Sequence, residues 1–110
     1  MGLPPIASAL TALKFYELDP ALVYSIEVAA HLAQVPRRLI AVYYRHGLVS
    51  PVRDPETGGW YFNEEGVRTL RRIEYLRTAC GMNLTAIRMV LELTAEVERL
   101  REEVRYLRGG

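Results

Sequence analysis

The chain alternates between helical and strand-like spacings of its apolar residues, and the changes of spacing mark its elements. After Ser25, the apolar positions Ile26, Ala29, Ala30 and Leu32 recur at helical intervals, with Ser25 placed to cap the helix. Val35-Pro36 breaks it and opens a second helix, in which Leu39, Ile40 and Tyr43 face inward. Gly47 ends that helix, as a residue free to turn left-handed does. Almost no loop separates the two. Counted from Ile26, Ala30 stands fifth, Val35 tenth, Ile40 fifteenth and Tyr43 eighteenth, the pattern of a helix-turn-helix. Gln34 occupies the turn position where Gly is commonest. Two helices packed without any binding function would satisfy much of the same pattern.

The spacing then shortens. Two apolar runs, 48–53 and Trp60-Tyr61-Phe62, flank the Pro/Gly-rich stretch 54–59, which predicts a hairpin. A hairpin directly after a helix-turn-helix is a wing. Asn63 caps the next helix, whose apolar face is Val67, Leu70, Ile73 and Leu76. Gly81 interrupts, and Asn83 caps the last helix. Leu84, Ile87 and Leu91 point toward the domain. Beyond them Val90, Leu93, Val97, Leu100, Val104 and Leu107 alternate steps of three and four, the seam of a coiled coil. That seam predicts a homodimer, since an isolated surface helix has no use for it. Glu96 and Glu103 fall on one side of the seam and Arg101 and Arg108 on the other, as in parallel pairing.

Residues 1–20 read as an arm with a short helix after Pro4-Pro5, carried by Ile6, Leu10 and Leu13. The predicted fold is mainly α: a winged helix-turn-helix over 21–80 with a small β-hairpin wing, and a coiled-coil dimerisation helix over 81–110.

Composition changes this picture in one respect. Fourteen Lys and Arg stand against 13 acids, a net charge of +1. Nucleic-acid binders usually carry a clear positive excess, because phosphate neutralisation supplies much of their affinity. Here that support is withheld. The single Cys80 excludes an internal disulfide, and no apolar run reaches the ~18 residues of a membrane span. With no basic, signal-like start, a cytoplasmic location is expected. His31 and His46 have no Cys or acid at metal spacing, and no nucleophile–base or paired-carboxylate arrangement stands out. No catalytic residue, metal or cofactor is expected.

Residues 24–108 resemble the MerR superfamily, and within it the heat-shock branch. The resemblance lies in the 24–29 run Tyr-Ser-Ile-Glu-Val-Ala, in Tyr43 followed by Gly47-Leu48-Val49-Ser50-Pro51, and in Arg71-Arg72-Ile73 with Leu76. It continues in Gly81-Met82-Asn83-Leu84 through Ile87 and in Leu91-Glu92-Leu93. Two functions are implied. HspR-like repressors bind DNA as dimers, whereas CbpM-like chaperone modulators bind the J-domain of a DnaJ-type co-chaperone. In DNA-binding relatives the second helix begins Ser-x-x-Thr-Leu-Arg and the wing carries Arg. Here Pro36, Leu39 and Ala41 replace the polar groups of the helix, and the wing reads Trp60-Tyr61-Phe62. This substitution of aromatic for cation implies a protein-binding wing at Trp60, Tyr61 and Phe62. The alternative assigns DNA contacts to Arg37, Arg38, Arg45 and Arg53. Such relatives pair antiparallel, and those that sense effectors carry a pocket beyond the paired helix that this sequence does not show.

Overall fold

Three capping side chains divide the fold much as the sequence suggests. In the computed structural model, which describes residues 22–109, the chain enters as strand β1 (Val23–Ser25) and passes at once into helix α1 (Ile26–Ala33). The Ser25 hydroxyl accepts the Val28 N–H at 3.3 Å, satisfying one of the open donors of the first turn. Gln34 ends α1 in the left-handed region at φ 57°, a conformation that costs a non-glycine residue roughly 1–2 kcal/mol. The turn is closed by the Val35 N–H on the Ala30 carbonyl at 3.0 Å. Helix α2 (Arg37–Arg45) follows directly. The predicted arm over 1–20 lies outside the described residues.

Strand β2 (Val52–Arg53) and strand β3 (Trp60–Asn63) form the wing. They belong to a three-stranded antiparallel sheet in the order β1-β3-β2, with Tyr24 opposite Phe62 and Arg53 opposite Trp60. The first strand is new relative to the sequence reading. It is three residues long and finds its partner far along the chain, so no local spacing announces it.

Asn63 caps helix α3 (Glu64–Thr78) by accepting the Gly66 N–H at 2.9 Å, with Glu64 and Glu65 in the first turn where the helix dipole favours acids. Gly81 turns left-handed at φ 66°, and Asn83 caps helix α4 (Leu84–Leu107). The core lies between α1, α2, α3, the sheet and the start of α4. Ile40, Tyr43, Val67, Leu70, Ile73 and Ile87 are fully enclosed, and each aliphatic side chain so buried contributes about 1.5–3 kcal/mol. The small residue wholly enclosed in α1 is Ala29, while Ala30, fifth in the helix-turn-helix pattern, is half-buried.

Helix α4 belongs to two environments. Ile87 is buried, and Leu84 and Leu91 pack against the core, so the domain extends beyond the expected boundary at residue 80 into the first two turns of α4. From Leu93 onward the apolar residues stand exposed.

Candidate nucleic-acid or protein interface

The outer stripe of α2 follows from where the helix starts. Pro36 is its N-cap and supplies no side-chain acceptor to the first turn. Arg37, Ala41 and Tyr44 then fall at i, i+4 and i+7, one above the other on the same face. Arg38 and Arg45 run beside them. Arg37 is held by Glu27 of α1 at 2.8 Å, with both side chains more than half exposed. Such a pair stabilises the fold little, but it compensates the charge locally.

The wing closes onto this stripe. The Trp60 ring lies 4.7 Å from that of Tyr44, centroid to centroid, tilted by 56°. Aromatic pairs at this distance contribute about 0.5–1.5 kcal/mol beyond area burial. Trp60 and Tyr61 are half-buried. Phe62 is not part of the surface. It is 2% exposed and faces Tyr24 across the strands inside the core, so the expectation that it contacts a partner is corrected. Strand alternation puts Trp60 and Phe62 on one face; depth within the fold separates their roles.

Behind Trp60 the wing tip is tied to itself. The Asp54 carboxylate accepts the Glu56 N–H at 2.9 Å and the Thr57 hydroxyl at 3.0 Å, and these bonds hold its carboxyl below the usual range. The Thr57 hydroxyl in turn accepts the Gly59 N–H at 3.1 Å. Gly58 takes φ 73°, which the turn requires.

Between α2 and the wing lies a groove of about 540 Å³, walled by Ile26, Arg38, Ala41, Gly59, Trp60 and Tyr61. The Glu27–Arg37 pair also borders it. Its walls are mostly apolar, at the place where a helix-turn-helix presents its reading helix. Of the four arginines singled out from the sequence, only Arg37 and Arg38 reach this groove. Arg45 sits at the far end of α2, about 12 Å along the axis from Arg37, and Arg53 stands exposed on β2. Among the described residues Arg38, Arg45 and Arg53 make no ion pair. The sequence reading missed Tyr44, Ile26 and Glu27. Tyr44 was findable from its place on the Arg37–Ala41 stripe; the Glu27–Arg37 pair joins two helices and leaves no spacing signal.

Beneath the stripe a polar cluster locks α2 to α3. The Tyr43 hydroxyl donates to Glu74 Oε1 at 2.6 Å and accepts from Arg77 Nε at 3.0 Å, while Arg77 pairs with Glu74 at 2.9 Å. Burial, reinforced by the Glu74 carboxylate and opposed by Arg77, pushes the Tyr43 hydroxyl up to about 12. Burial also raises the Glu74 carboxyl, but the hydrogen bonds from Arg77 and Tyr43 outweigh it and leave the group below its ordinary value. The phenol therefore stays neutral at physiological pH and serves to position α2. One turn before Glu74 on α3, Arg71 donates to the Leu32 carbonyl at 3.3 Å, satisfying an acceptor in the last turn of α1.

On α4 the seam residues are open: Leu93 is 65% and Leu107 78% exposed, Val97, Leu100 and Val104 nearly half, and Val90 is half-buried. Arg99 pairs with both Glu96 and Glu103 within the helix. The acids that suggested parallel pairing are thus already engaged on their own helix. Among the described residues no group of three His, Cys, Asp or Glu could hold a metal ion, and no helix is long and apolar enough to cross a membrane. His31, His46 and Cys80 are all exposed.

The family model for MerR HTH family regulatory proteins matches residues 24–94. A Streptomyces coelicolor protein assigned as heat shock protein HspR is 36% identical over 86 residues, covering 77% of this chain and 56% of its own length. The chain thus spans little more than half of that curated relative. Its fold is similar to HiNmlR, a MerR family regulator lacking the sensor domain and bound to promoter DNA. The TM-score is 0.62 at 25% identity, over 78% of this chain and 64% of that one. A MerR family transcriptional regulator from Bacillus cereus shares the fold with TM-score 0.57 at 19% identity, over 79% and 69% of the two chains.

Proposed function

Because this chain belongs to the MerR family of helix-turn-helix regulatory proteins, in its heat-shock branch, we propose that it is a dimeric, CbpM-like chaperone modulator. Its winged face docks the J-domain of a DnaJ-type co-chaperone and restrains that protein's work with its Hsp70 partner. The observation that carries this reading is the tilted Tyr44–Trp60 ring contact beside an apolar groove at the start of α2. Where a DNA reader needs hydroxyls and cations, this surface offers Pro36, Ala41 and Trp60, with Arg37 compensated by Glu27. An anchored aromatic flanking a hydrophobic concavity is the composition of a protein-binding hot spot.

The dimer is part of the same proposal. Pairing through Val90, Leu93, Val97, Leu100, Val104 and Leu107 would take the half-buried Val90 and the five exposed side chains out of water, each exposed one worth up to about 1.5–3 kcal/mol. The ion pairs flanking such a seam contribute only ~0.3–0.5 kcal/mol apiece, so their arrangement tunes the association without deciding it.

A second reading is an HspR-like repressor of chaperone genes. It is favoured by the HspR relative, by the DNA-bound HiNmlR and by three arginines, Arg38, Arg45 and Arg53, that have no ion-pair partner among the described residues. Two titrations separate the readings. The full chain is titrated with the J-domain of the same cell's co-chaperone, wild type against Trp60→Ala, and separately with duplex DNA upstream of the chaperone genes over a salt series. Docking predicts J-domain binding that Trp60→Ala weakens about 30-fold, in the range of an aromatic hot spot. Repression predicts retention of specific DNA that falls steeply with salt. Absence of J-domain binding sinks the first reading; a flat or absent salt response sinks the second.

A further inference from the structure

The groove between α2 and the wing combines three properties that together define an occupant. Its wall is apolar at Ile26, Ala41 and Trp60. Its charge is unbalanced, since Glu27 compensates Arg37 and nothing among the described residues pairs with Arg38. Its shape is set beforehand, because Tyr44 holds Trp60 and the Asp54–Thr57–Gly59 bonds hold the turn that bears it.

We propose that this groove docks an amphipathic helix of the partner protein, which sets a bulky apolar side chain against Ile26, Ala41 and Trp60 and a carboxylate against Arg38. This rests on the protein-docking reading above and adds to it the chemistry of what is docked. A volume of about 540 Å³ is too small for a helix 10–12 Å across, but it takes the side chains projecting from one face over a turn or two. Charge complementarity then chooses the sign. A basic residue entering here meets Arg38, and Glu27, the one acid among the described residues lining the groove, is already engaged by Arg37. An acidic residue finds an uncompensated guanidinium and can form a bidentate pair at the groove edge, shielded on one side by the wing. The rim favours close approach as well, since Gly58 and Gly59 present no side chain and the space over Gly58 is open. With the walls already ordered, docking costs little side-chain entropy, so affinity follows the fit of the inserted residue.

The test uses the full chain and the J-domain of the same cell's DnaJ-type co-chaperone, followed by calorimetry. Ala41→Trp fills the groove, Arg38→Glu reverses its charge, and Arg72→Glu reverses an exposed arginine on α3 outside it. Thermal melts establish that each variant folds. Ala41→Trp is expected to weaken binding by at least 30-fold. Arg38→Glu should weaken it about 10-fold at low salt, with the deficit shrinking as salt is added, while Arg72→Glu leaves it unchanged. If Ala41→Trp does not fold, Arg38→Glu carries the test. Binding of wild-type strength by both groove variants overturns the groove and leaves the docking reading standing. Equal losses in Arg38→Glu and Arg72→Glu also overturn it, by showing a diffuse charge effect. No binding by the wild type removes both.

Discussion

Tyr44 on the winged end and Val104 on the distal half of α4 are each 48% exposed, yet the surfaces they belong to are built in opposite ways. Tyr44 is fixed by Trp60, and Trp60 by a wing whose turn is bonded to itself, so that surface is complete before anything arrives. Val104 has exposed residues on either side of it and no tertiary neighbour in the core; its order comes from the helix alone. The first kind of surface selects its partner by shape. The second is completed only by a partner that repeats its spacing, which a second copy of the chain does by definition. Equal exposure therefore says little about what a surface is for; the support behind the exposed residue says more.

Three measurements would break or sharpen this contrast. The largest effect falls where the two regions meet. Ile87 is enclosed in the core yet sits on the helix that carries the seam, so Ile87→Ala should cost about 2–5 kcal/mol of folding stability by denaturant melts. A loss well below that range would mean that α4 is not part of the domain. Next, Leu100→Asp places a charge in the seam and should weaken self-association by roughly 30–100-fold, about 2–3 kcal/mol, in sedimentation equilibrium. At concentrations where both chains are monomeric, its melting temperature should match the wild type. A matched fall in monomer stability would show that the seam folds back on its own domain. The smallest effect is a pH response confined to the winged end. Tyr43 is raised in the folded state, so the stability it contributes is fully present below pH 10 and is lost as pH climbs from 10 toward about 12. Denaturant midpoints should fall across that window, and the part of the fall due to this residue should vanish in Tyr43→Phe. An identical slope in that variant would assign the response to other groups.

Most of the framework was legible because it is written in local chemistry. Ser25, Asn63 and Asn83 cap the helices they were expected to cap, and Gly47 and Gly81 take the left-handed turns that follow α2 and α3. The change from core-facing to exposed apolar residues along α4 also followed from spacing, with Ile87 buried and Leu93 open. What stayed hidden depends on distant partners. Strand β1 exists because Tyr24 meets Phe62, and the same contact takes Phe62 away from the surface where Trp60 remains. A run of three aromatic residues shows which alternate, but not how deep each lies. The Glu27–Arg37 pair joins two helices and changes the meaning of an arginine that looked available. Tyr44 was passed over because its neighbour Tyr43 accounts for the inward face, and its own role depends on the fold of the wing.

The uninterrupted course of α4 has a mechanical consequence. One rigid rod carries both the residue that closes the core, Ile87, and the last seam residue, Leu107, about 30 Å further along. In the proposed dimer, the angle at which each winged head leaves the seam is then a matter of helical phase. Each residue inserted between Leu91 and Leu93 would turn the head by about 100° about the rod, whereas a surface change on the head would leave its bearing untouched. On the proposed pairing, the distance and bearing between the two winged heads are thus measured out by α4, much as a shaft sets the timing between the two cams fixed to it.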